Sequence, residues 1–207
     1  MIKPVCNPLL KRIMAPCLAS ALLAGCQLTP QSREAEHPMT NVPDSARAVI
    51  KALNLEGHVE GGFYRRTFQA DDRGPIMTRH GERYTMTSIF YLLTAKSPIG
   101  HFHLNRSDIV HYYHMGDPIE YTLIYPDGSL ETLVMGPDVV NGQRLQMTVK
   151  GGVWKASRVL PGRMGYGLIS EAVSPGFDFA DMTLGERQPL LSQFPQHAEA
   201  IRQLTRE

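Results

Sequence analysis

Residues 119–135, IEYTLIYPDGSLETLVM, contain two short runs that are rich in Tyr, Thr, Ile, Leu and Val. Such runs are typical of β-strands, because β-branched and aromatic side chains pack well on a pleated surface. Pro126, Asp127 and Gly128 separate the two runs, and glycine supplies the positive φ angle that a tight turn needs. This stretch therefore predicts a β-hairpin.

The same pattern continues over most of the chain that follows Gly61 and Gly62. Further runs of this kind are FYRRTF at 63–68, RYTMTSIFYLLT at 83–94, HFHL at 101–104, IVHYYHM at 109–115, LQMTV at 145–149, VWKASRVL at 153–160 and YGLISEAV at 166–173. Many short strands broken by turns predict an all-β domain, either a sandwich such as the jelly roll or a closed barrel, because closure removes exposed strand edges.

Helical patterns occur only on either side of these runs. Ser45 is placed to cap a short helix in which Val49, Ile50 and Leu53 recur at helical spacing. The C-terminal segment predicts one or two short helices that cover the outside of the β-domain, with apolar positions at Leu190, Leu191, Ala198, Ile201 and Leu204.

The first 25 residues have the features of a secretory signal peptide. Basic residues precede an apolar stretch at 13–25, which is shorter than the roughly 20 residues that span a bilayer. The stretch ends in LAGC at 23–26, which resembles the lipobox of bacterial lipoproteins. We therefore expect Cys26 to be acylated, to become the first mature residue and to anchor the protein to a membrane.

The remaining chain divides into a flexible tether at 26–44 and a single domain at 45–207. The tether is polar, contains proline and lacks periodicity. Glutamine follows Cys26, and by resemblance to sorted lipoproteins this predicts the outer membrane, facing the periplasm. Cys6 and Cys17 leave with the signal peptide, so the domain would hold no disulfide and no Cys-ligated metal.

Charge excludes one class of partner. The formal net charge is +1, and neither sign forms a long run. Binding to a phosphate backbone depends on a basic patch, so we expect no nucleic-acid partner and instead a small-molecule ligand.

Two stretches carry a resemblance to a known family. Gly100-His101-Phe102-His103, followed by Asp108 and Gly116, resembles the first motif of the cupin superfamily, and KGGVWK at 150–155 stands in place of the second. Further segments follow the order of the cupin branch called domain of unknown function 985, or cupin-5. These segments are HVEGGFYR at 58–65, FYLL at 90–93, SD at 107–108, GDP at 116–118 and PGFDF at 175–179.

The resemblance covers roughly residues 46–184. It implies a cupin-type double-stranded β-helix, a jelly-roll barrel with short flanking helices, and a homodimer. The family has no settled biochemical role, so the resemblance supplies a fold and not a substrate.

Metal-dependent cupins hold a divalent transition metal with about three imidazoles and one carboxylate, a ligand set that suits such ions. If this chain binds a metal, the resemblance implies His101, His103 and Asp108 as ligands, with His111 as a further candidate.

Two positions depart from that ligand set. Ile109 stands where relatives often carry glutamate when the motif is aligned on Gly116, and isoleucine cannot bind a metal. Lys155 replaces the histidine of the second motif and brings a cation that repels a metal. We therefore expect no cofactor, and keep a divalent transition metal as the alternative.

Four residues are candidates for acid–base catalysis. His103 or His111 would act as the base and Tyr113 as the acid. Glu60 is either a general base or an anchor of the turn before the first long strand. The strand at 109–115 leaves its orientation open: His111 and Tyr113 face inward in one register, and Tyr112 and His114 in the other.

Four further residues are candidates for ligand binding. His101 and His103 are two residues apart on one strand, so their side chains share a face and both are expected to point into the barrel. Lys155 beside His103 would attract a carboxylate, phosphate or sugar-acid ligand, unless it is an ordinary solvent-facing lysine. Arg65 and Arg66 are adjacent, so one of them faces inward, with Arg65 as the candidate. An inward arginine needs an acidic partner, which Glu60 or Asp108 would supply.

These residues support three functions. The first is a metal-independent isomerase, epimerase or lyase for a sugar-like or carboxylated molecule, by analogy with cupin-type sugar-nucleotide epimerases. The second is a metal-dependent cupin oxygenase or hydrolase. The third is a non-catalytic envelope protein that binds a saccharide. Fold does not fix function, so the sequence leaves open whether the protein is an enzyme.

Overall fold

Residues 43–207 are described by this computed structural model of the protein. They form three α-helices and thirteen β-strands. In chain order these are α1 (Asp44–Ala52), β1 (Glu56–Gly57), β2 (Phe63–Gln69), β3 (Ile76–Thr78), β4 (Gly81–Arg83), β5 (Thr87–Thr94), β6 (Ile99–Asn105), β7 (Asp108–Gly116), β8 (Ile119–Ile124), β9 (Leu130–Met135), β10 (Gln146–Val149), β11 (Trp154–Val159), β12 (Tyr166–Ser174), β13 (Met182–Leu184), α2 (Arg187–Gln193) and α3 (Ala198–Leu204). The predicted signal peptide, Cys26 and nearly all of the predicted tether lie outside the described residues.

Two antiparallel sheets make up the domain. The larger has the order β1-β2-β5-β12-β7-β10, and the smaller has the order β13-β6-β11-β8-β9. A separate hairpin joins β3 to β4. This arrangement confirms the predicted all-β, jelly-roll architecture of cupin type with short flanking helices.

The hairpin at 119–135 forms as predicted. Strand β8 pairs with β9 in a register that sets Ile119 opposite Met135 and Ile124 opposite Leu130. Gly128 has a φ angle of 81° in the turn. Tyr121 and Leu123 face the main core between the sheets, whereas Ile124 packs under the C-terminal helices. Both faces of β8 are covered, which explains why its sequence is almost continuously apolar.

Helices cover the outer faces of both sheets. Ala46 and Ile50 of α1 pack with Leu92 and Leu168 of the larger sheet. Helices α2 and α3 bury Leu190, Ile201 and Leu204 against the smaller sheet, as the sequence predicted. Among residues 43–207, no helix is long and apolar enough to cross a bilayer.

Ser45 was expected to cap α1, and this prediction is wrong. The helix begins one residue earlier, at Asp44, and follows Pro43. The Ser45 hydroxyl instead donates a hydrogen bond of 2.7 Å to the carbonyl oxygen of Met164, so it ties α1 to the loop that precedes β12.

Strand β6 carries an irregularity that affects the site. Lys155 of β11 pairs with His103, and Ser157 pairs with Gly100, so the two residues His101 and Phe102 lie opposite the single residue Ala156. Such a β-bulge interrupts the alternation of side chains. His101 is therefore turned away from the interior, whereas His103 keeps an inward position and Phe102, on the opposite face of the strand, is fully buried in the outer cluster beneath α2 and α3.

Candidate acid–base site inside the barrel

A cavity of about 350 Å³ opens into the barrel between the two sheets. Its wall includes the acid–base groups His58, Glu60 and Glu171. Three aromatic rings also line it, those of Tyr64, Phe177 and Phe179. Its remaining charged side chains are those of Glu56, Arg66 and Asp178. Behind the wall lie three buried polar side chains, His103, His111 and Lys155, which are each at most 4% exposed.

Glu60 is held by the turn between β1 and β2. This turn lies against β6, where the backbone N–H of His101 donates to the carbonyl oxygen of Glu60 at 2.7 Å. Gly61 has a φ angle of 106°, and a Cβ atom there would overlap the carbonyl oxygen of Ile99. Glycine is therefore required at this position, since it alone permits both the backbone angle and the close approach.

Two imidazole rings flank one carboxyl oxygen of Glu60. The Oε2 atom lies 3.5 Å from Nδ1 of His58 and 3.3 Å from Nε2 of His103. Both of these ring nitrogens are acceptors. The backbone N–H of Glu60 donates to His58 Nδ1 at 3.3 Å. His103 Nδ1 lies 2.8 Å from the carbonyl oxygen of His101, which can only accept, so the proton of neutral His103 resides on Nδ1 and leaves Nε2 as a lone pair.

These contacts determine where the proton of Glu60 belongs. An ionised carboxylate would face two lone pairs, whereas a protonated carboxyl can donate to either. Burial raises the pKa of Glu60 from 4.5 to about 8. Burial also lowers the pKa of both His58 and His103, with Lys155 reinforcing the effect on each. Near neutral pH the site therefore contains a protonated Glu60 between two neutral imidazoles.

A second group surrounds Lys155 in the barrel interior. Its Nζ atom donates to Nε2 of His111 at 2.9 Å and lies 3.4 Å from both carboxyl oxygens of Glu171. Glu171 Oε1 is also 3.2 Å from His111 Nε2. Lys155 belongs to the smaller sheet, whereas His111 and Glu171 belong to the larger one, so this group links the two sheets.

The environment of Lys155 keeps Glu171 ionised. Burial alone would raise the pKa of Glu171, but Lys155 and His111 outweigh it and hold that pKa well below its ordinary value. Burial and the adjacent ammonium group lower the pKa of His111. The cavity wall thus carries two carboxyl groups whose environments shift their pKa values in opposite directions, a pattern that is typical of acid–base sites.

On β7, the side chains that face the barrel interior are those of His111 and Tyr113. His111 is fully buried, whereas Tyr112 is 37% exposed. The Tyr113 hydroxyl, however, donates to the carbonyl oxygen of Gly116 at 2.6 Å, and its ring packs on the main core. The tyrosine beside His111 is Tyr121 of β8, with ring centroids 5.3 Å apart. Tyr113 is therefore not placed to act as the acid.

Three predicted ligand-binding residues lie away from the cavity. The bulge in β6 turns His101 toward an outer cleft that Arg187 and Arg206 also line. Asp108 accepts hydrogen bonds from Lys150 Nζ at 2.7 Å and from the backbone N–H of Gly151 at 2.9 Å.

The third of these residues is Arg65. Its Nε atom donates to the carbonyl oxygen of Leu53 at 2.6 Å, outside the barrel. Its neighbour Arg66 lines the cavity instead. Because adjacent strand residues face opposite ways, the sequence had narrowed the choice to these two arginines without deciding it.

The metal ligands that the resemblance implied are not brought together. His103 faces the interior, but His101 and Asp108 point elsewhere for the reasons given above. Within residues 43–207, no group of three or more His, Cys, Asp or Glu side chains is arranged to hold a metal ion. Lys155 places an ammonium group against His111 and Glu171, and Ile109 is buried at the cavity wall. These residues do not fit a metal centre of the cupin kind.

Sequence reasoning missed Glu171 and gave His58 and Tyr121 no role. Glu171 had a usable signal, because it is the one charged residue in the strand run YGLISEAV at 166–173. A charged side chain in such a run is costly unless it is paired. Its partner Lys155 lies 16 residues away in the other sheet, and nothing in the sequence indicates that pairing.

Comparison with known proteins agrees with the fold. Residues 47–185 match the family described as cupin superfamily (DUF985). The uncharacterized protein YML079W of Saccharomyces cerevisiae is 40% identical over 158 residues, which cover 70% of this chain and 78% of the yeast protein.

Two solved structures are also similar. A hypothetical protein from Leishmania major is 33% identical with a TM-score of 0.74, and the match covers 78% of this chain and 99% of that one. Protein SO0799 from Shewanella oneidensis is 35% identical with a TM-score of 0.70, covering 78% and 97%. The family match and these likenesses extend over most of the described domain, and the chain therefore belongs to the DUF985 branch of the cupin superfamily.

Proposed function

We propose that the protein is a metal-independent acid–base enzyme that isomerises a small, sugar-like molecule in the barrel cavity. The observation that carries this proposal is the environment of Glu60, a cavity-lining carboxyl group that is flanked by two imidazole lone pairs. A pKa of about 8 makes this group an acid at neutral pH and leaves roughly one molecule in ten ionised as a base at pH 7. General acid–base groups work best when their pKa lies near the working pH.

Glu60 can both remove and return a proton. Its Oε2 atom takes both imidazole contacts, so Oε1 is the oxygen that a ligand would meet. The ionised form would take a proton from the hydroxyl-bearing carbon next to a carbonyl group and return it to the carbonyl carbon, while the hydroxyl proton moves to the former carbonyl oxygen by way of the enediol. The turn between β1 and β2, which is tied to β6 by its backbone, holds the carboxyl in place. One such group suffices for isomerisation, whereas epimerisation needs a second group on the opposite face of the carbon.

His58 is suited to assist at the carbonyl oxygen. Because its Nδ1 atom accepts from the backbone N–H of Glu60, the proton of the neutral ring is on Nε2, which is then a donor. A neutral imidazole donor can stabilise the negative charge that develops on a carbonyl oxygen as the adjacent carbon loses its proton. His58 lines the cavity beside Glu60, so both groups can act on one ligand.

The charges of the cavity favour a neutral ligand over a carboxylated one. The positive charge of Lys155 is balanced by Glu171 at 3.4 Å, so the lysine does not create an anion site as the sequence suggested. The other charged groups of the wall are Glu56 and Asp178 against Arg66. A polyhydroxylated ligand would donate to these carboxylates and pack its apolar face on the aromatic rings of the wall.

The proposal is tested by solvent exchange, which detects proton abstraction from any sugar that the cavity accepts. Neutral aldoses and ketoses are incubated with the protein in D₂O, and loss of the proton next to the carbonyl is followed by NMR. Wild type should catalyse exchange with at least one sugar, and Glu60→Gln should abolish it while still being stabilised by that sugar against thermal unfolding. The matched control is His101→Ala, which removes the neighbouring imidazole outside the cavity and should keep the activity.

Non-catalytic saccharide binding is the second candidate function. It is favoured by the position of His103, His111 and Lys155 behind the cavity wall, where a ligand does not reach them directly. Sugar binding with no exchange in wild type would support this function and refute the isomerase. Exchange that persists in Glu60→Gln would refute the role of Glu60.

A further inference from the structure

A second cleft, of about 310 Å³, lies outside the barrel cavity where three chain segments meet. The β3–β4 hairpin contributes residues 78–80, the turn between β6 and β7 contributes 106–108, and the end of β12 contributes 174–175. None of these residues lines the barrel cavity. The cleft therefore has its own set of side chains, and its volume lies at the lower end of the range for small-molecule sites.

Two guanidinium groups in the wall of this cleft have no carboxylate partner of their own. The Nη1 atom of Arg106 lies 3.9 Å from Asp181, but that carboxylate already accepts hydrogen bonds of 2.7 and 2.9 Å from Arg83. Among residues 43–207, Arg79 forms no ion pair. Its Nε atom donates to Nε2 of His80 at 2.9 Å, which leaves its two terminal nitrogens available to a ligand.

The carboxylate that borders the cleft is already neutralised. Asp108 accepts hydrogen bonds of 2.7 Å from Lys150 and 2.9 Å from the backbone N–H of Gly151, and these contacts lower its pKa. The positive charges of Arg79 and Arg106 are therefore not cancelled within the cleft, and electrostatic attraction favours an anion there.

Ser107 adds a buried hydroxyl group that lacks a partner. The residue is 6% exposed and lines the cleft, and within the described part of the chain its hydroxyl forms no hydrogen bond. The hydroxyls of Thr78 and Ser174, in contrast, already donate to backbone carbonyl oxygens. Burial of a hydroxyl without a partner is costly, so a ligand that accepts a hydrogen bond from Ser107 would remove that cost.

These three donors determine the class of ligand. Guanidinium groups bind phosphate through paired, charge-assisted hydrogen bonds. A phosphate monoester presents three terminal oxygens, so it can accept from two guanidinium groups and one hydroxyl at once, whereas a carboxylate presents two oxygens in one plane.

We propose that this cleft binds the phosphate group of a small phosphate monoester through Arg79, Arg106 and Ser107. The site shares no residue with the barrel cavity, so it goes beyond the acid–base function and does not depend on it.

The test is titration calorimetry of the full-length protein with glycerol 3-phosphate in a phosphate-free buffer. Wild type should bind one molecule per chain. Arg79→Gln and Arg106→Gln should each weaken binding at least ~10-fold, because each removes hydrogen bonds to a charged oxygen. Ser107→Ala should give a smaller loss of affinity and no loss of stability, since it removes no hydrogen bond within the described protein. The matched control is Arg66→Gln, which removes an equal charge from the barrel cavity and should leave this affinity unchanged.

Two further probes identify the bound group and its source. Glycerate, which carries a carboxylate and no phosphate, should bind at least ~10-fold more weakly because it offers fewer oxygens and less charge. Dihexanoyl phosphatidic acid carries the same phosphate group on a lipid. Equal affinity of the two phosphate esters supports the site with a soluble ligand, and binding of the lipid at least ~10-fold more tightly, lost in Arg106→Gln, supports it with a lipid headgroup.

The phosphate site is refuted if wild type binds neither phosphate ester saturably, or if affinity is unchanged in both Arg79→Gln and Arg106→Gln. Loss of binding in Arg66→Gln would place the ligand in the barrel cavity instead, and equally tight binding of glycerate would refute the phosphate class. Arg79 and Arg106 are exposed, so both variants should fold, which thermal unfolding checks. None of these measurements uses the exchange assay, so failure of the phosphate site and failure of the acid–base function are distinguishable.

Discussion

The protonated state of Glu60 has a measurable effect on stability. An acid whose pKa is higher in the folded protein than in the unfolded chain keeps its proton over a range in which the unfolded chain has lost it. For Glu60 this range runs from 4.5 to about 8. Within it the free energy of unfolding falls as pH rises, and above it the stabilisation from the neutral carboxyl is lost.

Three histidines restrict the pH range in which the effect of Glu60 on the free energy of unfolding can be observed. His58, His103 and His111 have lowered pKa values, so they weaken the fold as pH falls below their ordinary value of 6.5, which is the opposite trend. Glu171, with its lowered pKa, contributes stability that is lost only below 4.5. Near pH 6.5 these histidines are still partly protonated in the unfolded chain, but this contribution is common to wild type and to a Glu60 variant. Between pH 6.5 and 8, the difference in stability between the two proteins therefore reports Glu60.

The expected magnitude follows from the width of this window. Each pH unit in which the folded protein holds one extra proton is worth about 1.4 kcal/mol. From pH 6.5 to 8, wild type should lose about 1.5–2 kcal/mol through Glu60. The Glu60→Gln variant keeps a neutral side chain whose amide N–H groups can still donate to both imidazoles, so it should lack this loss and become the more stable protein at pH 8.

The assay is urea denaturation of wild type and Glu60→Gln at several pH values from 6.5 to 8.5. The matched control is Glu56→Gln, which removes a carboxyl from the same cavity at an exposed position and should change stability in parallel with wild type. If the wild-type and Glu60→Gln curves stay parallel within ~0.5 kcal/mol, which is the usual effect of a surface substitution, the protonated Glu60 is refuted.

Three further results are expected. Lys155→Met should lower the free energy of unfolding by about 3–5 kcal/mol, because it leaves a buried Glu171 carboxylate without its counter-charge, and adding Glu171→Gln should restore a good part of this loss in the same urea assay. Phe102→Ala should cost about 3–5 kcal/mol by opening a cavity beneath α2 and α3, and a cost below 1 kcal/mol would contradict the burial of this ring in the outer cluster. Cys26→Ser should abolish incorporation of labelled palmitate and release the protein from the membrane fraction, whereas retention in that fraction would refute the lipid anchor.

The fold could be predicted from the sequence because its signals are local. The hairpin at 119–135 depends on strand propensity and one glycine turn, and the C-terminal helices depend on apolar spacing. Each of these features is specified by residues that are neighbours in the chain, so each can be recognised without the tertiary structure.

The site could be predicted only in part, because it depends on long-range pairing. His103, His111, Lys155 and Glu60 were identified, but only Lys155 and His103 were expected to lie side by side, as they do. The bulge in β6, where that strand pairs with β11, turns His101 away from the interior while His103 stays inside. The alternation of side chains alone predicts that both point inward.

Prediction also failed for Asp108. Its partner Lys150 is 42 residues away, and a surface ion pair cannot be distinguished from a metal ligand by residue type. A carboxylate in a motif position was therefore insufficient evidence for a role in the site.

The contact of Lys155 with His111 and Glu171 also constrains how this chain can change by mutation. A mutation at Lys155 alone leaves a buried anion, and a mutation at Glu171 alone leaves a buried cation, so either single change is expected to destabilise the fold. The two positions are therefore expected to vary together in evolution.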